Sequence, residues 1–163
     1  MRTILHIALA TALMCLTSCS DNSCYENGSS LPLATCWVGG SQQTVSGLTI
    51  MGIGAPGDSL LADSSSLSEV YLPLRASVGT TSFAISRWVG AGTSTAQQLH
   101  DTLTLDYKSI AYFHSEECGA MYNFDIQHVS YTTHGLDSVV LVTPLVTNAA
   151  TPALRIHFTD IAQ

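Results

Sequence analysis

The sequence predicts an all-β domain, a single antiparallel β-sandwich, and three observations carry that reading. Short runs that alternate apolar and polar side chains recur along residues 31–163, separated by turns rich in Gly, Pro, Asn and Ser. No stretch after Cys19 holds apolar residues at the spacing of an amphipathic helix. Charged residues make up only 10% of the chain and hydrophobic ones 46%, and the abundant Ser, Thr and Gly suit strands and turns better than helices. Regularly spaced short strands without intervening helices pack as two sheets or close into a barrel. An outer-membrane barrel would need longer strands with aromatic girdles, so the sandwich is the better solution.

The elements follow in order. Leu31–Val38 reads as a first strand, with Leu33, Thr35 and Trp37 on one face and Ala34, Cys36 and Val38 on the other, which turns Cys36 inward. Gly39-Gly40 breaks it, and Val45–Ile53 resumes with both faces apolar enough to be covered. Gly54, Pro56, Gly57 and Asp58 form a turn, followed by a loop around Ser64-Ser65-Ser66 with a short strand at Ser59–Ala62. Leu67–Leu74 places Val70, Leu72 and Leu74 inward and Glu69, Tyr71 and Pro73 outward. Pro73 has no N–H for a ladder and puts that end on an edge. Thr81–Trp88 alternates through Phe83 and Ile85.

In the second half, Thr102–Tyr107 buries Leu103, Leu105 and Tyr107, and a bulge near Ser109 would let Ile110 and Tyr112 continue the row. Met121–Tyr131 sends Tyr122, Phe124 and Ile126 inward. Gly135 marks a turn, Ser138–Thr143 is a β-branched run, and Ala153–Thr159 alternates Leu154, Ile156 and Phe158 against Arg155 and His157. Seven to nine strands result, with the loop holding Pro144 and Pro152 before the last.

Ahead of the domain, Arg2 supplies a positive charge and Ile4–Leu13 an apolar run too short to span a bilayer, before Leu16-Thr17-Ser18-Cys19. That tetrapeptide is a lipobox. The sequence divides accordingly into a lipoprotein signal peptide over 1–18, a polar tether over 19–30 and the sandwich over 31–163. Resemblance to bacterial lipoproteins implies cleavage before Cys19, a diacylglycerol on its thiol and an acyl chain such as palmitate on its amino group. Two or three chains hold a protein firmly, since burial contributes about 0.8 kcal/mol per methylene.

Cys24, Cys36 and Cys118 then remain in an export compartment where disulfides persist, and three cysteines allow three single pairings. Cys24 in the tether and Cys118 in a loop can adjust to the geometry of a bridge, whereas Cys36 is held in a strand facing the core, so Cys24–Cys118 is the expected pair. The net charge of −7 and the scattering of five Lys and Arg exclude a nucleic-acid partner, because phosphate recognition wants clustered cations.

Chemistry-bearing residues form only weak patterns. His114, Glu116, Glu117 and Cys118 lie close in sequence and are ligand types for zinc, but no HExxH or paired CxxC accompanies them. No GxSxG elbow is present, no two acids mark a glycosidase cleft, and Gly52, Gly54 and Gly57 lack the strand-to-helix context of a phosphate loop. Trp37, Trp88, Tyr71 and Tyr112 could line a platform for sugars or peptides, although both tryptophans are expected in the core.

Cys118-Gly119 before Tyr122-Asn123-Phe124, together with Asp101-Thr102-Leu103-Thr104-Leu105-Asp106-Tyr107 and a cysteine soon after the anchor, resembles a family of small lipoproteins of unknown function from Bacteroidota. The resemblance covers most of the domain and implies no catalytic residue. It also implies that sugars attach to Ser or Thr after Asp, which Asp58-Ser59-Leu60, Asp101-Thr102-Leu103 and Asp137-Ser138-Val139 match, so that Ser59, Thr102 and Ser138 are candidate acceptors. The sequence reading is therefore a lipid-anchored envelope protein, at the outer membrane, whose sandwich is Ig-like in architecture. It is expected to act as a binding or structural module toward an envelope protein or glycan, without a cofactor. The alternative is an envelope hydrolase or metal-dependent enzyme built on His114 to Cys118.

Overall fold

In the computed structural model, the described residues are 30–55, 59–90, 92–116 and 118–160. The expected signal peptide, the expected lipid attachment site Cys19, and Cys24 lie outside them. The described chain forms strands and no helix: β1 Leu33–Val38, β2 Ser41–Gln42, β3 Val45–Gly52, β4 Leu60–Leu67, β5 Glu69–Tyr71 and β6 Thr80–Val89 in the first half. The second half holds β7 Gln97–Ser115, β8 Gly119–Tyr131, β9 Leu136–Leu141, β10 Leu145–Val146 and β11 Pro152–Phe158.

Alternation gives each strand one apolar face, and two sheets bury those faces against each other. The larger sheet runs β10-β8-β7-β6-β3-β4, and the smaller runs β2-β1-β11-β9 with β5 also on β1. Leu48, Ile50, Phe83, Ile85, Leu103 and Leu105 of the first meet Ala34, Cys36, Leu154, Ile156 and Phe158 of the second in one core. The all-β sandwich is as the sequence predicts. One pairing departs from antiparallel: β1 lies parallel to β11, Cys36 opposite Ile156.

The chain passes between the sheets at both edges. From β4 it continues into β5, where Ser68 C=O accepts from Cys36 N–H at 2.8 Å, and from β9 it continues into β10, where Pro144 C=O accepts from Ile126 N–H at 2.9 Å. These connections place backbone partners along strands that would otherwise be open at the sheet rims.

Four sequence expectations need correction. The serines 64–66 lie within a full strand, β4, rather than in a loop, because β3 pairs them in spite of their weak strand propensity. The pairing accommodates them with bulges, Ser64 taking φ 44 and donating its N–H to Thr49 Oγ1 at 3.1 Å. The segment 67–74 is a strand only over β5. The bulge expected at Ser109 lies instead across the ladder, where Asp106 faces His128 and Tyr107 already faces Ile126. Finally, Trp88 is 46% exposed and not in the core, while Trp37 is half-buried on the outer face of the smaller sheet.

Candidate functional site

β7 has 19 residues, but β6 pairs only Gln97 to Asp106 of them. Beyond Asp106, β7 keeps β8 as its ladder partner out to Ser115 opposite Gly119. The result is a two-stranded arm that extends past the rest of the larger sheet, closed by a turn after which Gly119 adopts φ 68, a conformation open to glycine.

Alternation continues along the arm after the opposing sheet has ended. Tyr107, Phe124 and Ile126 are still buried, but Tyr122 is 42% and Phe113 69% exposed on the same face, and Ile110 is 45% exposed on the other. The inward row expected through Tyr122 thus emerges into solvent, and Ile110, expected inward, is on the outer face because β7 keeps its parity. At the root of the arm, Ser30, Leu31, Leu74, Ala120, Tyr122 and Phe124 line a hollow of about 310 Å³. Ser30 Oγ donates to Asn123 Oδ1 at 2.9 Å, so the described chain begins against the arm.

The residues singled out at 114–118 are the tip of this arm. His114 is exposed, its ring 6.1 Å from Tyr112 in an edge-on contact, and Glu116 is exposed. Cys118 N–H donates to Ser115 Oγ at 3.1 Å. Among the described residues no three His, Cys, Asp or Glu gather as a metal set, and Glu117 lies outside them. Of the described cysteines, Cys36 is a free thiol, 1% exposed. Burial first, and Glu69 second, push it up to about 11, which keeps it protonated and unreactive at neutral pH. Cys118 is not a free thiol.

The four aromatic residues considered for a platform do not assemble. Trp37 and Tyr71 share the outer face of the smaller sheet, Tyr71 opposite Leu33, but Trp88 is on the larger sheet and Tyr112 on the arm. Trp37 is engaged within the molecule: Nε1 donates to Thr35 Oγ1 at 2.9 Å, and the Arg155 guanidinium stands 4.8 Å over its ring. Of the candidate acceptors, Ser59 is exposed just before β4, and the turn expected through Pro56, Gly57 and Asp58 lies outside the described residues. Thr102 and Ser138 are half-buried within β7 and β9.

One buried polar cluster escapes the motif search. Asp101, 6% exposed, accepts from Thr132 Oγ1 (2.7 Å) and His134 N–H (2.8 Å) on one oxygen, and from Gly135 N–H (2.7 Å) and Leu136 N–H (3.0 Å) on the other. It therefore pins the β8–β9 connection to β7. Burial alone would raise its carboxyl, but the bonds donated by His134, Thr132, Gly135 and Leu136 together hold it below the usual carboxylate range. A sequence signal exists: Asp101 shares the parity of Leu99, Leu103 and Leu105, a polar residue on the apolar side of its strand.

A family model, "Family of unknown function (DUF6452)", matches residues 47–158, from β3 to the end of β11. No curated protein and no solved structure matches the chain.

Proposed function

The chain belongs to this family, DUF6452, and from that premise we propose that it is a lipid-anchored binding module of the cell envelope, held at the outer membrane through Cys19, whose arm meets an envelope partner. The observation that carries the reading is the arm, which presents Phe113 and Tyr122 to solvent beyond the sheet that would have buried them, with Ile110 exposed on its other face. Large apolar side chains grouped on an exposed projection mark interaction surfaces more often than isolated ones do.

The start of the described chain supports the same reading. Ser30 is fixed on Asn123 of β8, and residues 19–30 span at most about 40 Å when extended. A membrane anchor at Cys19 keeps the arm close to the bilayer, so its partner is a membrane-proximal protein or glycan. The same proposal pairs Cys24 with Cys118. Its support is that Cys36 is free and buried in β1, while Cys118, half-buried at the arm tip beside the hollow that Ser30 also lines, is not free.

The anchor is tested by replacing Cys19 with Ala in the native host. The variant should persist as an unprocessed precursor that takes up no labelled palmitate. Labelling equal to that of the unaltered chain would refute the anchor.

A further inference from the structure

At the same end of the sandwich as the arm, the end of β3, the start of β4 and the β5–β6 connection enclose a cleft of about 270 Å³. Ile53, Ala55, Leu61, Leu74 and Phe83 give it apolar walls. Arg75 is the one charged residue among the described residues that line it. Small-molecule sites have this composition, mostly apolar surface with a few placed polar groups.

The position of Arg75 is fixed by a buried hydroxyl. Tyr107, 4% exposed, donates its Oη–H to Arg75 C=O at 2.9 Å and accepts Arg75 N–H at 3.0 Å, with the Thr81 hydroxyl 2.8 Å away. One donated and two accepted bonds use the full capacity of a phenol. The backbone that carries the cation is therefore held at the cleft by a side chain from the core.

Among the described residues, no carboxylate compensates the charge. Arg155 stacks on Trp37, and Arg87 is buried with Nη1 donating to Thr159 C=O. Arg75 is exposed and makes no ion pair among the described residues, in a chain whose net charge is −7. Most interactions open to a cation in so acidic a protein would be with its own carboxylates. Arg75 is instead beside an apolar cleft.

We propose that this cleft binds an acyl carboxylate of medium chain length, the carboxylate on the Arg75 guanidinium and the chain against Ile53, Leu61, Leu74 and Phe83. A guanidinium matches a carboxylate with two parallel N–H···O bonds. One cation balances one negative charge, whereas a phosphate monoester would bring a second charge with no partner on the cleft wall. At roughly 30 Å³ for each water-sized group, the cleft holds on the order of nine heavy atoms, close to the size of octanoate, and the end of a decanoate chain would reach its mouth.

The test uses the full lipidated chain in phosphatidylcholine nanodiscs and a decanoate probe carrying a photoreactive diazirine. Labelling should saturate and map to peptides spanning 52–61 and 73–83. Octanoate and decanoate should compete, with affinity rising roughly 3- to 4-fold per added methylene, and decanol or decyl phosphate should compete at least tenfold less well. Arg75→Gln should reduce labelling about tenfold, Arg75→Lys should restore part of it, and Ala55→Phe should abolish it by filling the cleft. The melting temperature of each variant, measured alongside, must match that of the unaltered chain for its labelling to be compared; Arg75→Gln and Arg75→Lys alter an exposed side chain only, so at least this pair stays usable. Labelling that does not saturate, that maps elsewhere, that is indifferent to Arg75→Gln, or that decanol or decyl phosphate blocks equally would overturn the proposal.

Discussion

Asp101 ties the β8–β9 connection to β7. Its two oxygens satisfy the backbone N–H groups of His134, Gly135 and Leu136, and removing them would leave buried donors unpaired. Asp101→Ala should therefore cost on the order of 3 kcal/mol, counting charge-assisted bonds at roughly 1.5–3 kcal/mol each and partial rescue by water. Because the folded carboxyl lies below its unfolded value of about 3.9, its contribution is complete above about pH 4. It is lost as the pH falls from there through the folded value. Denaturation curves at pH 7 and pH 3 should differ less for Asp101→Ala than for the unaltered chain; an equal loss in both would contradict the assignment. At this scale the sequence was legible where alternation alone decides, as for Cys36 turned inward. Asp101 was overlooked because motif patterns report reactive groups and not a carboxylate spent on backbone donors. Trp88 was misplaced because tryptophan is buried on average, while its position in β6 faces away from the core.

Among the elements, strands with strong alternation, such as β6, β8 and β11, were read close to their observed limits. β4 was not, since Asp63 to Ser66 carry little strand propensity and pair only because β3 offers a ladder. The arm exposes a limit of periodicity itself. Alternation tells which residues share a face, but whether a second sheet covers that face depends on where the opposing strands stop. Tyr122 is exposed for that reason, whereas Ile110 is exposed because the bulge falls on β8 and leaves the parity of β7 unchanged. The arm tip also bears on the proposed cysteine pairing. A Cys24–Cys118 bridge would fasten the tether to the arm and stabilise by on the order of 4 kcal/mol in the chain-entropy model, less any strain. Peptide mapping without reduction should yield a linked peptide joining residues 24 and 118, with Cys36 alkylated only after unfolding. A peptide linking Cys36 to either of the others would refute the pairing.

Across the whole molecule, the two ends of the sandwich differ in kind. At one, Arg87 reaches the smaller sheet, Nη1 on Thr159 C=O at 3.2 Å and its guanidinium 5.9 Å from the Phe158 ring, and burial lowers its pKa despite the opposing pull of Asp160. That end is closed. The other carries Ser30, the hollow, the arm and the cleft beside Arg75. With Cys24 bridged to Cys118 and a lipid on Cys19, both as proposed, the arm tip would stand within roughly 20 Å of the anchor, so the end that exposes apolar side chains would be the end facing the membrane. Sheet order and the projecting arm were not legible in the sequence, because strand pairing across long separations leaves no mark in local alternation.

The central claim is that the arm is the partner-facing surface, and its most direct measurement is site-specific photo-crosslinking in the native host. A photoreactive amino acid replaces Phe113 at the arm, or the exposed Gln98 of β7 far from the arm tip. A discrete cross-linked species from position 113 and none from position 98 is the result expected. No product from position 113, or the same products from both positions, would contradict it.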